Sequence, residues 1–324
     1  MNDTNEYQKV DRKYIESGDA ESVFDIYIMR KKNNGQSEMV LLLSKGASKE
    51  DRLRGLDNKF FGDLYIQKDD SEKYYDYIAE SVNTLLEDRS VPDEKKSEFL
   101  YKSTSKIVEN VFSDPRSGQN IKRVSKVAFS MINFLLSDRR NVKSLLKIGS
   151  FDYYTYTHCV NVSVFSVGLA QMISGFTEDD LFNLAYGAML HDIGKTAISG
   201  AIINKKEKLT GEEFEIIKTH PAKGEEMVRD YVPEAARDIV YHHHEKFNGS
   251  GYPEGLKGLD ISEGAKISTI ADVYDALTTN RSYARARNPF DAVMLMKQEM
   301  VGSFAENEFL AFINFLGGRP ATAS

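Results

Sequence analysis

The chain has 324 residues and six histidines, of which one stands at position 158 and the other five lie between 191 and 244. Imidazole is the commonest protein ligand of transition metals. Such crowding asks for a shared site, and so for a fold in which the segments carrying it converge. The most informative stretch is Ala188-Met189-Leu190-His191-Asp192-Ile193-Gly194-Lys195, where an apolar helix ends in an imidazole beside a carboxylate. Thr177 and Asp180 form the capping box that starts this helix. Leu184, Ala188, and then His191 with Asp192 follow at helical spacing, so one face runs from core into two metal-binding side chains. Gly194 suits a left-handed residue at the helix end, leaving Lys195 to lean back over the site. A His-Asp pair alone fits a hydrogen-bonded core pair as well as a metal site, and the rest of the chain has to separate the two.

Composition narrows the setting. With 41% hydrophobic and 28% charged residues, a chain of this length can bury the cores of two domains. The start, Met1-Asn2-Asp3-Thr4-Asn5-Glu6, lacks the basic and apolar runs of a signal peptide, and no stretch approaches a membrane span. A single cysteine, Cys159, excludes an internal disulfide framework and fits a reducing compartment, so the expected location is cytoplasmic. A net charge of −7 disfavours binding to long nucleic acid while permitting a local basic pocket for a small anion.

The expected fold is mainly α. Residues 1–70 read as a small α/β regulatory domain, with strands at Val23-Phe24-Asp25-Ile26-Tyr27-Ile28, Met39-Val40-Leu41-Leu42-Leu43 and Asp63-Leu64-Tyr65-Ile66; Asn33-Asn34-Gly35 supplies the turn of a hairpin. Residues 71–148 read as a helical bridge of about three helices, broken at Val91-Pro92 and Asp114-Pro115-Arg116-Ser117-Gly118. Its stripes are Tyr75, Ile78, Val82 and Leu85, then Val124, Ala128, Met131 and Leu135. Residues 149–324 read as an all-α bundle that carries the chemistry. In it, Phe151, Tyr154, His158, Val162, Phe165 and Leu169 form one buried stripe, which lets His158 meet His191 on the next helix. A capping box at Thr210 and Glu213 opens a helix expected to end at His220-Pro221. His242, His243 and His244 cannot share one helical face, so at most two serve one metal cluster. Asp272 and Asp275 lie among Ile267, Ile270, Ala271, Tyr274 and Leu277, and carboxylates that deep need partners.

Five imidazoles and two carboxylates on successive helices suit iron, manganese, zinc or nickel rather than calcium or magnesium. They exceed one ion's needs, and two ions about 3.5–4 Å apart are the usual arrangement for phosphoester cleavage. Here the sequence resembles a known family, the HD-GYP subgroup of HD-domain phosphohydrolases, which hydrolyse the bacterial second messenger cyclic di-GMP. The resemblance covers about residues 152–317. It rests on Thr157-His158, His191-Asp192-Ile193-Gly194-Lys195, Lys208-Leu209-Thr210, Lys218-Thr219-His220-Pro221, His243-His244-Glu245 with Asn248-Gly249-Ser250-Gly251-Tyr252-Pro253, and Ile270-Ala271-Asp272-Val273-Tyr274-Asp275.

The resemblance implies an HD-domain helical bundle and two transition-metal ions, iron or manganese before zinc or nickel. It implies that His158, His191, Asp192 and Asp272 surround one ion, and that Asp192 bridges to a second completed by His220, His243 and His244, leaving His242 out. Asp192 and Lys195 would be catalytic. Lys195, Tyr252, Arg281, Tyr283 and Arg285 would contact the substrate, cyclic di-GMP. The alternative implied is a catalytically weak receptor, or a module that docks a diguanylate cyclase through Gly249-Ser250-Gly251-Tyr252-Pro253. Two departures stand out. Tyr154 occupies the position where three-metal members carry a glutamate, so two ions and a product stopping largely at linear pGpG are expected. The family's Arg-Pro-Tyr-Arg run is replaced by Arg281-Ser282-Tyr283-Ala284.

Overall fold

The computed structural model describes residues 6–17, 21–33, 35–56, 62–138, 140–149, 154–280 and 285–317. They fall into two compact units, Met1–Ser103 and Thr104–Ser324, and the division lies within the segment 71–148.

The first unit holds β1 (Tyr7–Val10), α1 (Arg12–Ser17), β2 (Ile26–Lys31), β3 (Ser37–Leu43), α2 (Lys49–Gly55), β4 (Leu64–Gln67) and α3 (Ser71–Glu87). Its sheet has the order β1-β4-β2-β3, with every pairing antiparallel. The hairpin between β2 and β3 forms as its turn residues require: the Gly35 amide donates to the Lys32 carbonyl, and Gly35 has φ +82°, which glycine adopts without strain. Sequence reading gave three strands. The fourth, β1, is only four residues of mixed polarity and becomes a strand by pairing with β4. The β2 strand also begins later than expected, at Ile26, where the register shifts against β3. Ile26, Leu64 and Ile66 pack with Tyr14, Phe24, Tyr74 and Tyr77 in the core, the rings meeting edge to face.

The next helix, α4 (Asp93–Ser113), carries the division between the units and is followed by α5 (Gly118–Ser137) and α6 (Arg140–Gly149). The segment therefore has four helices rather than about three. The additional break is at Asp138, which leaves helical geometry (φ −155°) and accepts the Arg140 amide at 2.8 Å.

The second unit continues with α7 (Thr155–Ala170), α8 (Glu178–Leu190), α9 (Gly200–Ile203), α10 (Gly211–Ile217), α11 (His220–Val228), α12 (Glu234–His242), α13 (Glu263–Thr278), α14 (Pro289–Glu299) and α15 (Glu306–Leu316). The fold is thus mainly α, with a small antiparallel sheet near the N-terminus. No helix among the described residues is long and apolar enough to cross a membrane. The unit is organised around α7, every residue of which from His158 to Ala170 is buried. This corrects the expectation of a single apolar stripe: α6, α8, α13 and α15 surround α7, so it has no wet face beyond its first turn. Val160, Val162, Val164, Val167 and Leu169 are fully buried, each worth roughly 1.5–3 kcal/mol. Among them, the Ser163 hydroxyl donates to the Ala185 carbonyl at 3.1 Å and ties α7 to α8.

Two local expectations are also corrected. The helix α10 ends at Ile217, and His220-Pro221 opens α11, because proline at a first helical position gives up an amide that has no helical partner. Gly194 does not adopt a left-handed conformation; after α8 the chain continues into a 3₁₀ turn, Ile193–Ala197. Glycine is needed there for proximity: an added Cβ would lie 1.9 Å from the His220 carbonyl oxygen and 2.5 Å from the Gly224 amide nitrogen. Backbone cannot yield as a flexible side chain can. Gly194→Ala is therefore expected to destabilise the protein by roughly 1–3 kcal/mol through overpacking. Gly211→Ala, where a methyl meets nothing within 4 Å, should be neutral or slightly stabilising. Thermal unfolding of the pair decides the point, and equal melting temperatures would remove the close approach as the reason for Gly194.

Candidate metal centre

Five elements of the second unit deliver their polar residues to one buried place. His158 comes from α7, His191 and Asp192 from the end of α8, His220 from the start of α11, His243 and His244 from the end of α12, and Asp272 from α13. His158, His191, Asp192, His220 and His243 are at most 1% exposed.

The orientation of the imidazoles follows from where their helices end. The last carbonyls of a helix have no intrahelical donor. His191 follows the last residue of α8, and its Nδ1 donates to the Ala188 carbonyl at 2.7 Å. His243 repeats this with Val240 at 2.9 Å after α12, and His220 with Ile217, the final residue of α10, at 2.8 Å. Since a carbonyl only accepts, all three rings carry their proton on Nδ1, and each Nε2 presents a lone pair to the interior. The Nε2 atoms of His220 and His243 lie 3.1 Å apart.

Asp192 sits between two sets of these nitrogens. Its Oδ1 is 3.4 Å from His220 Nε2 and 3.9 Å from His243 Nε2; its Oδ2 is 3.5 Å from His191 Nε2 and 3.9 Å from His158 Nε2. The ligand atoms of Asp192, His220, His243 and His244 lie within 4.8 Å of one another, as do those of His158, His191 and Asp192. Asp272 faces both sets, with Oδ1 3.0 Å from His158 Nε2 and Oδ2 3.6 Å from His244 Nδ1. Lys195, on the 3₁₀ turn, donates from Nζ to Asp192 Oδ2 at 2.6 Å and is 22% exposed.

Electrostatics match this geometry. Burial would raise Asp192, but Lys195, His191 and His220 hold it well below the usual carboxylate range. Asp272 is likewise lowered against burial, chiefly by its hydrogen bond with His158. Burial pulls His158 down, yet the carboxylates of Asp272 and Asp275 outweigh it and raise the group to about 9. A cation between His158 and Asp272 would replace that proton. Burial pushes His191 and His243 down, so their lone pairs stand ready at neutral pH. Among the described residues, His191 Nε2 and Asp192 Oδ1 are buried without a hydrogen-bond partner. Leaving such atoms unmet in a protein interior is costly. A metal cation held by imidazole and carboxylate together would satisfy them.

The other residues singled out in the sequence fall as follows. His242 turns away from the cluster to Asp238, 2.7 Å from its Nδ1, and towards Glu254. Tyr252 lies against His244, with ring centroids 4.7 Å apart. Arg285 is exposed, and Arg281 and Tyr283 lie outside the described residues. Tyr154 stands at the N-cap of α7, 56% exposed and stacked on Tyr156, which removes it from the expected buried stripe; Phe151 lies outside the described residues. Sequence reading gave no role to Glu245, whose Oε1 accepts the amides of Glu254 (2.7 Å) and Gly255 (3.0 Å) and pins the loop that carries Tyr252. Gly251 completes that loop, since an added Cβ would lie 2.4 Å from the Lys246 amide nitrogen.

A family model described as "HD domain" matches residues 165–304. The chain is 35% identical over 221 residues to "Cyclic di-GMP phosphodiesterase PA4108" of Pseudomonas aeruginosa, covering 67% of this chain and 53% of that protein. It is 34% identical over 159 residues to "3'3'-cGAMP-specific phosphodiesterase 3" of Vibrio cholerae, covering 49% of this chain and 34% of that one. Among solved structures, "Bd1817, a HDG"Y"P protein from Bdellovibrio bacteriovorus" is similar with a TM-score of 0.69 and 25% identity, over 96% of this chain and all of that chain. The chain thus spans between a third and about half of the length of these two curated relatives.

The role of Glu245 is open to direct measurement. Glu245→Ala should leave the Glu254 and Gly255 amides without their acceptor and speed their hydrogen exchange by roughly tenfold or more, in line with about 1–3 kcal/mol for an unsatisfied buried group. Unchanged protection at both amides would show that the carboxylate does not hold the loop.

Proposed function

We propose that the chain is an HD-GYP member of the HD-domain proteins and a metal-dependent phosphodiesterase acting on cyclic di-GMP at a dinuclear centre. The observation that carries this reading is the buried Asp192 carboxylate, one oxygen turned to His158 and His191 and the other to His220 and His243. His158, His191, Asp192 and Asp272 would hold one ion. His220, His243 and His244 would hold the second, with Asp192 shared. Mixed imidazole and carboxylate donors suit iron or manganese, and zinc or nickel accept the same set. Bound there, two such ions supply Lewis acidity and lower the pKa of water towards neutrality.

The protein's own groups do the rest. Lys195, fixed by Asp192 and reaching the partly exposed edge of the centre, meets the negative charge that develops on the phosphoryl oxygens. Tyr252, tilted against His244 with ring centroids 4.7 Å apart, offers an aromatic face to a nucleobase, and Arg281, Tyr283 and Arg285 would complete the contacts with the substrate. The reading extends to the product. Opening the ring creates a terminal phosphate, and the position one turn before His158 carries Tyr154, which offers no carboxylate to hold a third cation against it. Linear pGpG is therefore expected to accumulate.

Metal analysis of protein purified without chelator should give two equivalents of a transition ion per chain, and a value near zero would remove the centre. Lys195→Ala should retain that metal and lose roughly 10²–10³-fold in turnover, the usual effect of deleting one preorganised stabilising group. Full activity in this variant would exclude the lysine.

Chromatography of timed reactions with cyclic di-GMP and with 3'3'-cGAMP tests both substrate and product. Preference for cGAMP, or clean conversion to mononucleotide, would overturn the corresponding part of the reading. Tight binding with no product in metal-replete protein would instead support a receptor, or a module that docks a diguanylate cyclase.

A further inference from the structure

His158 differs from His191, His220 and His243 in what holds it. His191, His220 and His243 stand beside helix ends, where a carbonyl three residues earlier is free to accept the Nδ1 proton. His158 is instead the fourth residue of α7, where backbone carbonyls are engaged in the helical ladder; its own amide already donates to Tyr154 at 3.0 Å. Its ring needs an orienting acceptor as theirs do. A carboxylate from another helix takes that role: Asp275 Oδ2 lies 2.6 Å from His158 Nδ1, across 117 residues of chain. Asp275 is itself fixed, because the Asn161 side-chain amide donates to its Oδ1 at 2.9 Å. Asn161 lies three residues after His158 on the same buried helix, so ligand, acceptor and clamp form a closed unit between α7 and α13. All three residues are at most 4% exposed.

We propose that Asp275, clamped by Asn161, is a positioning residue that fixes the tautomer and orientation of His158 for the ion shared with His191, Asp192 and Asp272. The two halves of the centre thereby become unequal. An anionic acceptor makes an imidazole a better donor to a metal than a neutral carbonyl does. The half containing His158 draws part of its affinity from a buried carboxylate, whereas His220 and His243 in the other half are oriented by backbone carbonyls. This inference rests on the two-ion reading above and adds a residue that does not touch either ion.

The test uses the full chain stripped with chelator and titrated with Mn²⁺, free ion being counted by its six-line electron paramagnetic resonance signal. Unaltered protein should bind two equivalents. Asp275→Asn keeps an acceptor of the same size but removes its charge, and it should keep one equivalent at the original affinity while the other weakens by roughly 10- to 100-fold, the range for losing an outer partner of a ligating histidine. Asn161→Ala leaves the carboxylate in place and should weaken the same equivalent by a smaller factor, which covers the case in which Asp275→Asn does not fold. Two equivalents at unaltered affinity in both variants would overturn the proposal. So would equal weakening of both equivalents, because a merely structural role loosens the whole centre and lowers the melting temperature of the metal-free protein. Fewer than two equivalents in the unaltered chain would overturn the two-ion reading itself, and the result in that control distinguishes the two failures.

Discussion

A fully buried carboxylate is the constraint on which the second unit depends. Taking a charge such as that of Asp192 out of water costs several kcal/mol even after relaxation. Only convergence of positive or proton-bearing groups makes it tolerable. The chain meets this by bringing Lys195 to 2.6 Å on one side, and the four imidazoles leave between their inward nitrogens and the carboxylate a place where a cation would complete the neutralisation. Of these, only His191 and Lys195 come from the end of α8 and the turn that follows it. The packing of α7, α11 and α12 against α8 and that turn is therefore as much a condition of the charge as of the hydrophobic core.

The same physics explains why the ligands gather at helix ends. Where a helix stops, its last carbonyls need donors. A histidine one turn further on can supply one through Nδ1 while turning Nε2 inward. The arrangement at Ala188, Ile217 and Val240 satisfies an orphan backbone group and orients a ligand with a single bond. Close approach is the accompanying requirement. The 3₁₀ turn and α11 touch backbone to backbone at Gly194, which brings His220 to the carboxylate and leaves no space there for a side chain.

Around this centre lie groups whose task is to hold others. Glu245 secures the loop bearing Tyr252 through two amides, and the Thr269 hydroxyl, 2.8 Å from the His243 carbonyl, joins α13 to the end of α12. Asp275 stands to His158 as the helix-end carbonyls stand to the other imidazoles. Such partners share an interaction type, buried and directional, that fixes geometry without direct contact with what the site binds.

What the sequence determined was local. The boxes at Thr177 with Asp180 and Thr210 with Glu213 form where they were expected, since each is made within one turn of chain. The stripe Val124, Ala128, Met131 and Leu135 is buried because helical spacing alone puts those residues on one side. The grouping of histidines pointed to a common centre and ruled out a shared face for His242, His243 and His244. Tertiary structure decided the rest. It buried α7 on all sides, assigned Asp275 to His158 and Glu245 to a distant pair of amides, and made Gly194 a point of contact instead of a left-handed turn. Each of these depends on groups far apart in the chain, or on space left by another helix. Backbone propensity and spacing act only over a turn or two, so no local pattern carries them.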